Sequence, residues 1–162
     1  MKGDKKKKII DSRWDIKRKP DGTVKTRLVC RGFNEEIESK DDIYAAAPSL
    51  STCKLLLNHG LNRNHVMYFG DINAAFLHAP VVQETLVKPP ADFISSDGSV
   101  VIWKLKKALY GLKSAPKSWQ AHLTGQLTEI GLQQLKTDPC LIKHTSEAMF
   151  IMVYVDDMFT SG

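Results

Sequence analysis

Eight residues from Ala148 to Val155 are nearly all apolar and run straight into two adjacent carboxylates, Asp156 and Asp157. Side chains alternate faces along a strand, so this stretch reads as a well-buried strand that delivers both acids at its end. A hairpin turn over Val155-Asp156-Asp157-Met158 accounts for the pair without chemistry, because Asp readily bonds its own backbone in turns. The chemical alternative places a hard divalent cation between two like charges that otherwise repel, and it requires a third acid from elsewhere in the chain.

The rest of the chain bounds what such a strand can belong to. With 162 residues and 43% hydrophobic content, it can build one domain with a real core and is too short for a multidomain enzyme. The formal charge of +5 is an N-terminal property: residues 1–31 hold 12 Lys and Arg against 4 Asp and Glu, and the remainder nets −3. That balance favours nucleic acid or nucleotide phosphate as partner, with a solvated tail as the plainer reading of Lys5 to Lys8. Cys30, Cys53 and Cys140 show no CxxC spacing, so neither a disulfide framework nor a zinc knuckle is indicated, and a reduced intracellular setting fits best. The five histidines form no metal-binding pattern. The apolar runs fall short of a membrane span, and the lysine-rich start lacks the apolar stretch of a secretory signal.

Element by element, residues 1–22 read as a charged, loosely ordered approach, within which Pro20-Asp21-Gly22 can turn a hairpin between two extended runs. Alternation along Val24 to Phe33 puts Lys25, Arg27 and Arg31 on one side. The acidic NEEIESKDD stretch reads as a solvated loop, followed by a helix opened by Ser49 or Ser51 and weakened at Gly60. Val66 to Phe69 is strand-like, ends at Gly70-Asp71, and turns into a short helical stretch stopped by Pro80. Asp71 is therefore the third acid at a strand end. A Pro-rich loop, a turn at Asp97-Gly98 and a strand over Val100 to Leu105 come next. A helix follows with Ser114 as its cap, Pro116 in its first turn, Trp119, Leu123, Leu127 and Ile130 as its apolar stripe and Gly131 as its stop. The last hairpin turns near Ser146-Glu147, and the order of elements gives an α+β class with an antiparallel sheet.

Five blocks in this order, KTRLVCRGF, GDINAAFLHAP, KLKKALYGLKSAPKSW, TDPCLI and VYVDDM, resemble the reverse transcriptase domain of copia-type LTR retrotransposon polyproteins. The resemblance covers residues 23–162. It implies a polymerase fingers and palm fold, with an antiparallel palm sheet packed on helices, in which Asp71, Asp156 and Asp157 converge as catalytic metal ligands. Two Mg²⁺ ions, with Mn²⁺ as a substitute, would serve transfer of dNTPs to a primer on an RNA or DNA template. By the same resemblance Asp71 and Asp156 bridge the metals and Asp157 is more peripheral.

Other roles follow from the resemblance position by position. Phe76, five residues after Asp71, takes the place of the aromatic gate that excludes a ribose 2′ hydroxyl; packing in the core is the competing reading. Lys25 and Arg27 would hold the triphosphate, with Arg31 on the nucleotide or the template. The backbone of Ile72, Asn73, Ala74 and Ala75 would cradle the triphosphate tail. Tyr110 and Gly111 would lie against the nucleotide, Pro116 would open the palm helix, and Lys106, Lys107 and Lys113 would meet template or primer phosphates.

The chain departs from the family pattern at Ala74, usually polar or charged, at Ala79, usually Gly, and at IYAAAP, where ETFAP is usual. The resemblance ends five residues after Asp157, so the chain is expected to be an incomplete piece of a Pol polyprotein without thumb or RNase H, weak or inactive alone. A noncatalytic nucleic-acid-binding remnant and a nucleotidyl cyclase are the rival classes. The expected setting is a cytoplasmic particle or the nucleus, with no membrane partner.

Overall fold

The computed structural model describes residues 8–37, 39, 41, 43 and 45–162, so Lys5 to Lys7 of the lysine run lie outside the described residues. Its architecture is α+β, with two sheets and two α-helices.

Strands β1 (Ile9–Arg18) and β2 (Val24–Cys30) form the expected hairpin, with Trp14 opposite Leu28 and Lys17 opposite Lys25. Asp21 secures the turn by accepting from the Thr23 N–H at 2.9 Å and hydroxyl at 2.6 Å. Those two bonds hold its carboxyl below the ordinary carboxylate value. Strand β1 also runs parallel to β4 (Leu86–Lys88), which pairs with β5 (Trp103–Lys104), giving the order β2-β1-β4-β5. Most of the basic N-terminal stretch is thus built into a sheet. The strand expected over Val100 to Leu105 shrinks to two residues, because β4 offers only Leu86 and Val87 as partners and Val100 is left exposed.

The second sheet is antiparallel throughout, in the order β3-β9-β8-β7-β6, formed by β3 (Met67–Asp71), β6 (Leu132–Gln134), β7 (Leu141–His144), β8 (Phe150–Tyr154) and β9 (Asp157–Ser161). Helix α1 (Leu50–Arg63) covers one face: Leu56 packs with Leu141 and Phe159, against Phe150 and Met152. Helix α2 (Ala115–Glu129) covers the other, where Leu127 meets Leu132, Ile142, Ile151 and Val153. Strand β8 contributes to both clusters by alternation, which is why its sequence is apolar at every position.

Ser49 caps α1, accepting from the Thr52 N–H at 3.0 Å. Gly60 marks close packing within this helix: a Cβ there would lie 2.6 Å from the Met67 methyl and 2.7 Å from the Ser161 hydroxyl. A third cluster, with Ile10, Cys30, Val87, Ala108 and Trp119, joins the first sheet to α2 and to a 3₁₀ turn over Ala75–His78. The apolar stripe of α2 stops at Leu127, since Ile130 lies at the cap beyond the helix and is exposed.

Candidate functional site

The three acids reach one end of the second sheet through its register. Asp71 closes β3 directly opposite Asp157, the first residue of β9. Directly opposed antiparallel residues sit about 4.5–5.5 Å apart at Cα and turn their side chains to the same face. Asp156 occupies the turn between β8 and β9, and its carbonyl accepts from the Ile72 N–H at 2.7 Å. The turn is one residue earlier than the sequence implies, because Tyr154 pairs with Asp157 and leaves only Val155 and Asp156 between the strands. Val155 takes φ +56° in this two-residue turn, a conformation that favours glycine. A β-branched residue there costs about 1–2 kcal/mol.

Asp71 and Asp157 are exposed and Asp156 is half-buried. Among the described residues, none of the three carboxylates takes a hydrogen bond or ion pair from a side chain. Among the described residues no three His, Cys, Asp or Glu side chains, those of Asp71, Asp156 and Asp157 included, are grouped to hold a metal ion. The acids share a sheet end through backbone placement while their side chains remain open. Carboxylate oxygens are the hard donors that Mg²⁺ takes, one or two at a time with water and phosphate completing its octahedron, so the three acids match it in donor type and sheet position and not as an assembled cluster.

Beyond the acids lies a row of three side chains. Phe76, half-buried in the 3₁₀ turn, meets the Tyr110 ring edge-on at a centroid distance of 5.0 Å. The Arg27 guanidinium lies 5.1 Å from the centre of the same Tyr110 ring, a cation–π contact. Lys25 is exposed two residues before Arg27 on β2, on the same side, and Lys17 faces it across the hairpin. Sequence reasoning passed over Lys17; pairing the two strands is what identifies it. Arg31 is exposed at the end of β2 and donates its backbone N–H to the Asp11 carbonyl.

Other sequence-selected groups are already engaged. The Ile72 N–H is committed to Asp156, which leaves Asn73, Ala74 and Ala75 as the backbone donors for an anion. Ala74 is left-handed at φ +54°. The Lys107 ammonium donates to the His78 carbonyl at 2.6 Å, and that of Lys113 to the Phe33 and Glu35 carbonyls at 3.1 and 3.3 Å. These two cations tie loops together, while Lys106 is exposed. Pro116 stands in the first turn of α2 and lines a narrow cleft with Trp119, Leu123, Val153 and Val155.

Two further residues carry the site. Glu35, from the stretch read as a solvated loop, is buried and accepts from the Ser114 hydroxyl and the Lys113 N–H, each at 2.5 Å, and from the Ser114 N–H at 3.3 Å. Ser114 therefore precedes α2 without capping it, and the carboxylate at the helix entrance comes from Glu35. Burial, reinforced by this neighbouring charge, pushes the Cys30 thiol up to about 12. Trp119 is the second: its buried indole donates Nε1–H to the Val155 carbonyl at 2.6 Å, tying α2 to the turn that holds Asp156.

A family model described as "Reverse transcriptase (RNA-dependent DNA polymerase)" matches residues 1–162. Similar proteins include the Retrovirus-related Pol polyprotein from transposon RE1 of Arabidopsis thaliana, 30% identical over 163 residues that cover 95% of this chain and 11% of that protein. The corresponding polyprotein from transposon TNT 1-94 of Nicotiana tabacum is 29% identical over 167 residues, 98% of this chain and 13% of that one. The Transposon Ty1-DR5 Gag-Pol polyprotein of Saccharomyces cerevisiae is 30% identical over 161 residues, 94% of this chain and 8% of that one. The chain thus spans between 8% and 13% of the length of these relatives.

Proposed function

This chain belongs to the reverse transcriptase family of copia-type retrotransposon Pol polyproteins, and on that premise we propose that it holds the fingers and palm residues of an RNA-directed DNA polymerase. The observation that carries this reading is the register that sets Asp71 opposite Asp157 and ties Ile72 to Asp156, bringing three acidic residues to one sheet end. Asp71 and Asp156 would hold two Mg²⁺ ions, with Asp157 at their side. Bound there, the ions would supply the charge that acidifies a primer 3′ hydroxyl and neutralises departing pyrophosphate.

The chain's own residues would bind and orient the dNTP. Arg27, held over the Tyr110 ring, would offer its guanidinium fork to a triphosphate, and exposed Lys25 would add a second cation. Asn73, Ala74 and Ala75 offer backbone N–H groups beside Asp71. Phe76 and Tyr110 together form a wall for the sugar and base, with Gly111 letting backbone come close. Template and primer would meet Arg31, Lys106 and the start of α2 at Pro116 through sequence-independent contacts. The remainder of a Pol polyprotein would supply further grip on the duplex.

The test is Mg²⁺-dependent incorporation of dTTP on poly(rA)/oligo(dT) at low salt, wild type beside Asp156→Asn. Incorporation abolished by the substitution supports the assignment. Incorporation that survives it removes Asp156 from the site.

A further inference from the structure

We propose that Trp119 is a positioning residue for the Asp156 carboxylate, acting through the hydrogen bond from its indole to the Val155 carbonyl. The inference rests on the two-metal reading and adds a residue outside the carboxylate set.

Asp71 and Asp157 are fixed by strand pairing, since they face one another in the β3–β9 ladder. Asp157 is held a second time by Tyr154 on β8. Asp156 lies outside both ladders. Two bonds define its place: the Ile72 N–H to its own carbonyl at 2.7 Å and the Trp119 Nε1–H to the preceding carbonyl at 2.6 Å. Together they fix two successive peptide groups, and so the direction in which the Asp156 side chain leaves the turn.

Packing does not do this work in their place. Val155 is only half-buried, and with Trp119, Pro116 and Val153 it lines a narrow cleft that is not filled. Its φ of +56° is one that valine rarely adopts, so the turn needs an outside hold to keep it. Trp119 provides a rigid one. Its ring is 5% exposed, sits in the cluster with Leu112 and Ala115, and carries a nitrogen that donates only, so the bond has one sense. Support of this kind, from groups behind metal ligands, typically governs metal affinity by ten- to a hundredfold.

The experiment measures Mn²⁺ binding to the 162-residue chain by the EPR signal of free Mn²⁺, for wild type, Asp156→Asn, Trp119→Phe and Leu127→Ala. Trp119→Phe keeps an aromatic ring and removes the donor; it is expected to weaken binding roughly tenfold. Leu127 lies outside the cleft that Val155 lines; Leu127→Ala loosens the same helix where it packs on Leu132, Ile142 and Ile151, and is expected to lower Tm while keeping wild-type affinity. Wild-type affinity in Trp119→Phe overturns the inference, as does equal weakening in Leu127→Ala, which would make the effect one of general stability. Equal binding by wild type and Asp156→Asn overturns the two-metal reading itself, and the inference with it.

A measurement on unsubstituted protein keeps the inference testable if Trp119→Phe does not fold. On titration with Mg²⁺, the ¹H–¹⁵N resonance of the Trp119 indole is expected to shift while those of Trp14 and Trp103 stay in place. No movement of the Trp119 resonance at saturating Mg²⁺ overturns the inference.

Discussion

Gly32 and Gly111 meet backbone to backbone: a Cβ on Gly32 would lie 2.0 Å from the Gly111 carbonyl oxygen, and one on Gly111 would lie 2.1 Å from that of Cys30. The contact locks the end of β2 onto the segment carrying Tyr110, and the Cys30 N–H completes it by donating to the Tyr110 carbonyl at 2.8 Å. Gly111 also takes φ +87°, a conformation costly for any residue with a side chain. Gly111→Ala is expected to lose about 2–4 kcal/mol in urea denaturation, from backbone strain plus forced separation of the two segments. A midpoint within error of wild type would show that the segments part easily, and with them Arg27 from Tyr110.

Glu35 joins the same two regions by charge. Its buried carboxylate collects two backbone N–H groups and the Ser114 hydroxyl at the entrance to α2. Glu35→Ala would leave those donors without their acceptor, at a cost of about 1.5–3 kcal/mol, and Glu35→Gln, which keeps one acceptor oxygen, about half as much. Equilibrium urea curves decide it. Equal stability of Glu35→Ala and wild type would mean that water replaces the carboxylate at no cost.

These two ties mark where the sequence ceased to be legible. The doubly apolar β8, the Pro20-Asp21-Gly22 hairpin and the Ser49 cap each follow from a local rule, and each stands where that rule puts it. The gathering of Asp71 with Asp156 and Asp157 was legible only as three acids at strand ends, and strand pairing supplied the rest. Glu35 was not legible: it stands beside Glu36 in an acidic run, and only its long-range partner at Ser114 separates the buried residue from the exposed one. The turn slipped by one residue for the opposite reason. Propensity favours the Asp pair as turn residues, whereas the ladder needs Asp157 as a partner for Tyr154 and places a valine at positive φ.

Asp138 gives the fold a pH dependence. Burial raises its carboxyl, but donors from Thr52, Cys140 and Ser49 outweigh that and hold it below the ordinary carboxylate value. A group with a depressed folded pKa stabilises the fold above its unfolded value, near pH 4, and loses that contribution as pH falls through the folded value. Asp138→Asn is therefore expected to be less stable than wild type at pH 7, with the gap closing as pH falls below about 4. Thermal melts of both proteins between pH 7 and pH 3 test this; a constant gap would show that the Thr52 and Ser49 contacts do not depend on the charge.

Phe76 separates two uses of one ring. It packs partly into the cluster with Ala75 and Trp119, and its free edge meets Tyr110 at 5.0 Å, beside the strand end that carries Asp71. A core role predicts that Phe76→Val costs stability and nothing else. A role in the sugar wall predicts in addition that the dTTP over UTP preference in kcat/KM falls by roughly ten- to a hundredfold, because the smaller side chain leaves room for a 2′ hydroxyl. We expect both effects, read from paired incorporation assays and melts on the same preparation. A lowered Tm with unchanged preference would assign the ring to the core and move the sugar wall to Tyr110.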